Sequence, residues 1–276
     1  MATVNLDNLV IDRVVSGWFE SNSSQTPELI AVLDQLTNFS VNTTSETKDK
    51  TDAQGALLKR FFTAKTVEVS GENAVFSLNL HAIQTGSDKK TDTSVTLPRI
   101  IQYAKTDSPI TLPDTPAAGT LIVVGTTENG LPDLEKQYVA DTEAGAGKYS
   151  VATTQDGTVL TLPTDSTDLV VVKYEYTVHD SQIAARVDQL ADKFPKECKA
   201  TFEVLCSDLC NPEEVLALYI VFDRFQVSPD VDLTFDTESN MPFSGTAFRS
   251  YCGKNQSLYY IALCSDSDKY DAKQYK

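Results

Sequence analysis

The 276-residue chain is poor in several residue types, and each shortage narrows what the protein can be. It has two histidines, one tryptophan and five cysteines. Its longest apolar runs, such as residues 216–222, fall far short of the roughly 18–20 residues that a helix needs to cross a bilayer. An odd cysteine count argues against a complete disulfide framework and favours reduced thiols in a reducing compartment. The first seven residues have neither a basic nor an apolar segment, so they predict no secretory signal.

Basic charge is also scarce. Lys and Arg total 23 against 39 for Asp and Glu, which gives a net charge of −16 and a pI near 4.5. Proteins that grip duplex DNA or an anionic membrane need basic patches. The composition therefore predicts neither sequence-specific contact with nucleic acid nor binding to a membrane surface.

The charge is unevenly distributed along the chain. Residues 105–180 carry half of the net charge, and this segment has no Cys, Trp, Phe or Arg. It also contains short β-rich runs every 8–15 residues, separated by Pro, Gly, Asn and Asp. Such spacing is typical of a small β-sandwich. We therefore predict an inserted Ig-like β domain at 105–180 within a discontinuous β domain formed by residues 1–104 and 181–276.

The flanking segments predict a mainly β fold, a β-sandwich or barrel with a flanking short helix. Thr26, Pro27 and Glu28 resemble a helix start, and Leu29, Ile30, Leu33 and Leu36 predict a helix over 27–37. A second helix is predicted from Ile183, Val187, Leu190 and Phe194, ending at Pro195. Alternating or β-branched runs predict strands at 9–19, 74–82, 200–206, 216–222, 231–236 and 257–263.

Residues 38–80 predict a long two-stranded excursion. A turn sequence at 52–55 separates an outgoing polar segment from the return strand 61–70. Residues 48–60 carry a local net charge of +2 in an acidic chain and few apolar side chains. We predict that this tip projects into solvent or toward a neighbouring subunit, through Lys48, Lys50, Asp52, Gln54, Lys59 and Arg60.

No catalytic motif has the residues that its chemistry needs. Gly145–Lys148 resembles part of a phosphate loop, but that motif requires an earlier Gly and a following Ser or Thr, so a turn between strands is the better interpretation. Asp230 and Asp232 resemble a phosphoaspartate loop, yet they fall in an alternating segment typical of a solvated strand face. The sequence therefore predicts no enzyme, no catalytic residues and no cofactor.

The sequence gives equally little support for a metal site. Cys206 and Cys210 form one loose cysteine pair, but Cys252 and Cys264 do not form the second pair that a structural zinc site requires. Both histidines, His81 and His179, fall in strand patterns. Acidic turns leave opportunistic calcium binding open, but none has helix–loop–helix spacing. We predict no dedicated metal site, and buried free thiols as the default for the cysteines.

Three stretches together resemble a known family: residues 51–55 leading into 61–80, residues 219–222, and residues 231–238 before 243–247. The chain resembles structural proteins of tailed-bacteriophage virions and is most similar to tail tube proteins, over residues 35–104 and 195–264. The resemblance implies a β-sandwich flanked by a helix, with a long projecting hairpin, residues 38–70 here, that reaches a neighbouring ring. It also implies hexameric rings that stack around an acidic lumen through which DNA slides.

On that resemblance the protein is a non-enzymatic subunit that assembles with copies of itself and with other virion proteins. It would be part of the virion and assemble in the host cytoplasm, with residues 105–180 facing outward. Two alternatives stay open. The first is a capsid decoration or other head protein. The second is a carbohydrate-binding or adhesion module, for which aromatic strand faces and acidic loops are suitable.

Overall fold

A computed structural model describes residues 8–22, 26–91, 95–154, 157–178, 184–249 and 257–264. The chain divides into two compact units, residues 1–89 with 187–276, and residues 90–186. The fold is mainly β, with one short helix within the described residues. No helix in this part of the chain is long and apolar enough to cross a membrane.

The elements follow one another in a simple order, with the helix between the fourth and fifth strands. They are β1 (Leu9–Ser21), β2 (Leu29–Leu33), β3 (Leu36–Thr51), β4 (Leu57–Asn73), α1 (Leu78–Thr85), β5 (Lys90–Thr91), β6 (Thr96–Ala104), β7 (Ile110–Thr111), β8 (Ile122–Thr126), β9 (Pro132–Asp141), β10 (Lys148–Thr154), β11 (Gly157–Thr161), β12 (Leu169–Thr177), β13 (Ala185–Arg186), β14 (Cys198–Asp208), β15 (Asn211–Val227), β16 (Met241–Ala247) and β17 (Tyr260–Cys264).

The first unit is built on a large antiparallel sheet in the order β2-β1-β14-β15-β16-β4-β3, with β17 also paired to β15. One face of this sheet carries an aromatic core that includes Phe19, Phe202, Phe222, Phe225 and Phe243. The rings meet edge to face or stacked, the arrangements that aromatic quadrupoles favour. The predicted strands at 9–19, 200–206 and 216–222 are confirmed, and the one predicted at 257–263 forms over Tyr260–Cys264.

Two glycines let these rings lie directly against the sheet. A Cβ at Gly71 would lie 2.5 Å from Phe243 Cζ, and one at Gly245 would lie 2.3 Å from Phe225 Cζ. Real Cβ atoms do not approach that closely, so any side chain there displaces a core ring. The glycines are thus required by packing within the strands, where Gly otherwise weakens a strand.

The predicted helix over 27–37 is wrong. Residues 29–33 form β2, an edge strand paired to β1, and only Ala31 and Leu33 of this strand are buried. Leu-Ile-Ala-Val-Leu fits a helical period and a strand period equally, and pairing with β1 decides between them. Just before the strand, the Ser21 N–H donates to the Glu28 carbonyl at 2.8 Å.

The predicted strand over 74–82 is also wrong, because a helix begins inside it. The Ser77 hydroxyl caps α1 by accepting from the Leu80 N–H, and Gly86 ends it with φ 68°. Leu80 and Ile83 are buried three residues apart, which is helical spacing. His81 therefore lies on a helix and not in a strand, while His179 lies outside the described residues.

Two further predicted elements are absent from the described residues. Residues 187–197 contain no helix: Ala185–Arg186 pair with β5, and the Phe194 backbone passes against Gly86 at the end of α1. Ile183 lies outside the described residues. Residues 231–236 form no strand, because Asp236 and Ser239 satisfy the backbone in a local turn and no strand pairs with this segment.

The second unit holds a seven-stranded sheet, β6-β12-β8-β9-β10-β11-β7, which curls as a half-barrel. The strands predicted between 120 and 178 are confirmed, whereas β6 was not predicted. The pair β9–β10 is parallel and the other pairs are antiparallel. Buried Tyr174 donates to Asp114, which also pairs with Arg99 at 2.5 Å.

Candidate assembly surface

The β3–β4 hairpin is the most extended feature of the first unit. β16 pairs with β4 only over Val67–Asn73, and beyond that point no third strand pairs with the hairpin among the described residues. Every residue from 42 to 66 is exposed. At about 3.3 Å per residue, the unsupported part of β4 extends about 30 Å. The two-stranded excursion predicted at 38–80 is confirmed as a hairpin over Leu36–Asn73, and residues 74–80 are not part of it.

A compact turn closes the hairpin. The Asp52 side chain accepts the N–H groups of Gln54 and Ala56 at 2.9 and 2.8 Å, and Gly55 adopts a positive φ of 85°. This is an Asx-type turn, in which a short carboxylate replaces backbone hydrogen bonds. Asp52 therefore has a local structural role in ordering the tip, and Gln54 contributes its N–H to that turn.

Three lysines share one face of the hairpin. Lys50 lies directly opposite Lys59, and Lys48 lies opposite Phe61, so these side chains point to the same side. The Lys59 ammonium lies 5.0 Å from the centroid of the Phe61 ring, which fits a cation–π contact. Like charges opposite each other destabilise a strand pair. A nearby acidic surface would relieve this repulsion.

The other face of the hairpin carries a neutral ion pair. Arg60 donates through Nε and Nη2 to the two Asp49 carboxylate oxygens at 2.8 and 2.9 Å. The hydrogen bond lowers the pKa of Asp49 and raises that of Arg60. Because the pair is exposed, it adds little to stability. Of the predicted tip residues, Arg60 is thus occupied within its own hairpin.

The tip also presents apolar side chains that the sequence interpretation did not include. Leu57, Leu58, Phe61 and Phe62 are all exposed, and Phe62 retains 72% of its accessible surface. Phe61 and Phe62 are neighbours in regular strand register and therefore lie on opposite faces of the hairpin. Clustered exposed apolar groups mark interaction surfaces. The two doublets were visible in the sequence, but as part of an ordinary strand they would have been expected to face the core.

A second exposed surface lies where β4 ends and β16 begins. The end groove, defined as residues 74–76 with 233–241, encloses about 680 Å³. Its apolar part contains Val75, Phe76 and Phe235, the last 81% exposed. Acidic side chains continue from it along a shared rim, in Glu72, Asp232, Asp236 and Glu238. No Lys or Arg lines either part among the described residues.

The remaining candidate chemistry from the sequence forms no site in the part of the chain that the structure describes. Gly145 and Lys148 exchange backbone hydrogen bonds in the turn before β10, as predicted. Cys206 is buried and Cys210 is exposed, and both are free thiols. No group of three or more His, Cys, Asp or Glu side chains in the described residues could hold a metal ion.

Exposed strand edges and clustered exposed apolar side chains, both present in the hairpin, are features through which chains associate with other chains. Over residues 14–261 the chain matches the YomU/Tube protein family, and it belongs to that family. Membership is consistent with a phage tail tube protein, a structural component of the virion tail that assembles with its own copies and other virion proteins. It indicates no enzymatic family. No curated protein matches the chain.

Proposed function

We propose that the protein is a tail tube subunit that assembles into stacked hexameric rings around a channel for DNA. The projecting β3–β4 hairpin is the observation that carries this proposal. A two-stranded hairpin without a third strand or a packed face is marginally stable in water. One that is also apolar on both faces gains most when a neighbouring copy covers it.

The net negative charge of the chain supports the proposal that DNA passes through the channel. With a net charge of −16, an assembled tube presents an acidic surface on average, and acidic walls repel a polyanion. DNA would then slide along the channel without adhering to it. The second unit, with its own curled sheet and core, is the proposed outward Ig-like domain.

Electron microscopy of the purified protein tests this proposal directly. We expect rings at moderate concentration and tubes as the concentration rises. A protein that stays monomeric at every concentration and binds glycans instead would support an adhesion module. Binding to assembled heads without ring formation would support a decoration protein.

The hairpin's part in stacking has its own test. Lys50→Glu with Lys59→Glu reverses two exposed charges, and should leave the monomer folded because surface substitutions usually change stability by about 0.5 kcal/mol or less. Stacking should weaken, and wild-type stacking should weaken as salt rises. The control, Lys136→Glu with Lys173→Glu, alters one exposed and one half-buried lysine of the second unit and should assemble normally. If both double variants assembled equally well at low salt, the hairpin would not form the stacking contact.

A further inference from the structure

We propose that the hairpin tip of one copy docks into the end groove of a second copy. This inference rests on the proposed function and adds the receiving surface to it. The tip comprises residues 48–60 and the adjoining Phe61 and Phe62, and the end groove is the surface already defined by residues 74–76 and 233–241. Three independent properties of the two surfaces match: apolar content, charge and position along β4.

Both the tip and the end groove expose apolar side chains that could cover each other. Phe76 and Phe235 lie with ring centroids 5.9 Å apart, and both are exposed, at 47% and 81%. Two exposed aromatic rings beside an open groove provide the kind of anchor site that interfaces bury at their centre. The tip offers Leu57, Leu58 and Phe62, each at least half exposed. Docking would remove both sets from water at once.

The charges are also complementary. The groove's rim holds Asp232, Asp236 and Glu238, and none of them forms an ion pair among the described residues. The tip supplies Lys48, Lys50 and Lys59 on one face. Opposite potentials steer encounter and fix the register of an interface. The repulsion between Lys50 and Lys59 would be offset by carboxylates of the rim.

The two surfaces lie at opposite ends of one strand. The tip is at Leu57, where β4 begins, and the groove starts at Ala74, directly after β4 ends at Asn73. Seventeen residues of strand extend about 55 Å, so a tip cannot reach the groove of its own copy. The contact must therefore be made between copies, and where it repeats in one direction this head-to-tail arrangement generates a closed ring or an open stack.

Charge exchange tests the pairing. The tip variant is Lys50→Glu with Lys59→Glu, and the groove variant is Asp232→Lys with Glu238→Lys. Each should raise the concentration for half-maximal assembly at least about tenfold. The four-fold variant that carries both changes should assemble near the wild-type concentration. An equimolar mixture of the two separate variants should also assemble, because reversed tips meet reversed grooves and native tips meet native grooves.

The apolar contact has a separate test. Phe235→Ser should raise the assembly concentration at least about tenfold. Phe194→Ser is the matched control, since Phe194 is 67% exposed in the same unit but lies outside the groove. Circular dichroism and thermal melting should show all variants folded. Assembly is measured by sedimentation velocity and electron microscopy at low salt.

The outcomes separate this inference from the proposed function. If wild-type protein never assembles, the proposed function itself fails. If the tip variant loses assembly while both groove variants behave as wild type, the tip docks elsewhere and the end groove is not its receptor. Failure of the four-fold variant and of the mixture to recover would also overturn the pairing, even where each separate variant is defective.

Discussion

The four described cysteines differ in their surroundings, and their reactivity should differ accordingly. Burial raises the pKa of the Cys198 thiol to about 12 and also raises that of Cys206. Cys198 Sγ donates to the Phe225 carbonyl oxygen at 3.4 Å. Cys210 and Cys264 are exposed. Because the thiolate is the reactive form, the two buried thiols should be protected in the folded protein.

Alkylation followed by mass spectrometry checks this expectation. In the folded protein Cys210 and Cys264 should be labelled quickly, and Cys198 and Cys206 only slowly. After unfolding without reductant, all five cysteines of the chain should be labelled, as the odd count predicts. A stoichiometric disulfide or fast labelling of Cys198 in the native state would contradict it.

Tyr174 should make stability fall at alkaline pH. Burial, followed by the nearby Asp114 carboxylate, raises the pKa of Tyr174 from 10 to about 12. The folded state keeps the phenol neutral while the unfolded state ionises above pH 10. The contribution of Tyr174 is therefore complete below pH 10 and is lost as the pH rises toward 12, at up to about 1.4 kcal/mol per pH unit.

Urea unfolding between pH 9 and 11.5 measures that slope. Tyr174→Phe removes the titrating group, so its unfolding free energy should fall less steeply with pH than that of the wild type. Tyr149, whose pKa is also raised by burial, is present in both proteins and serves as a common background. Parallel slopes for the two proteins would show that Tyr174 does not ionise differently on unfolding.

At the scale of elements, the hairpin should divide into a protected base and an unprotected tip. Residues 67–73 of β4 pair with β16, whereas 57–66 pair only with β3. Hydrogen exchange of the monomer should therefore be slow over 67–73 and fast over 44–51 and 57–66. On assembly the tip amides should become protected. A tip that is already protected in the monomer would contradict this division.

Two of the errors in element prediction, at 27–37 and 74–82, have the same physical cause. Residues 29–33 fit helical and strand periods equally, and only the neighbouring β1 makes them a strand. Residues 74–82 alternate, but the Ser77 cap and Gly86 place a helix from Leu78 instead. In a short apolar segment the hydrophobic period alone does not distinguish a helix from a strand. A helix cap or a neighbouring strand determines which of the two forms. The strands between 120 and 178 were predictable because turn residues bound them.

Only the charged side chains of the candidate surface could be predicted from the sequence. Lys48, Lys50 and Lys59 stand out in an acidic chain, and a turn sequence locates them at a tip. Phe61 and Phe62 did not stand out, because aromatic residues in a strand are usually buried. Their exposure depends on where β16 stops pairing with β4, which no local pattern reveals. The end groove likewise depends on chain segments far apart in sequence.

For the whole molecule, the second unit should be dispensable for folding of the first. Each unit has its own buried core. Because β6 pairs with β12, the deletion is best placed at the limits of the unit, with residues 92–184 replaced by a short Gly-Ser linker. The shortened protein should stay soluble, melt cooperatively and still form rings. Loss of soluble protein would show that the first unit needs the second.

The β5–β13 pair determines how the second unit is attached. Lys90 lies opposite Arg186 and Thr91 opposite Ala185, so the chain leaves and returns through two adjacent strands about 5 Å apart. A replacement cassette therefore needs only closely spaced ends, whatever its size or fold. In a regular assembly, a domain exchanged at this position would be repeated once per subunit, at the spacing of the subunits.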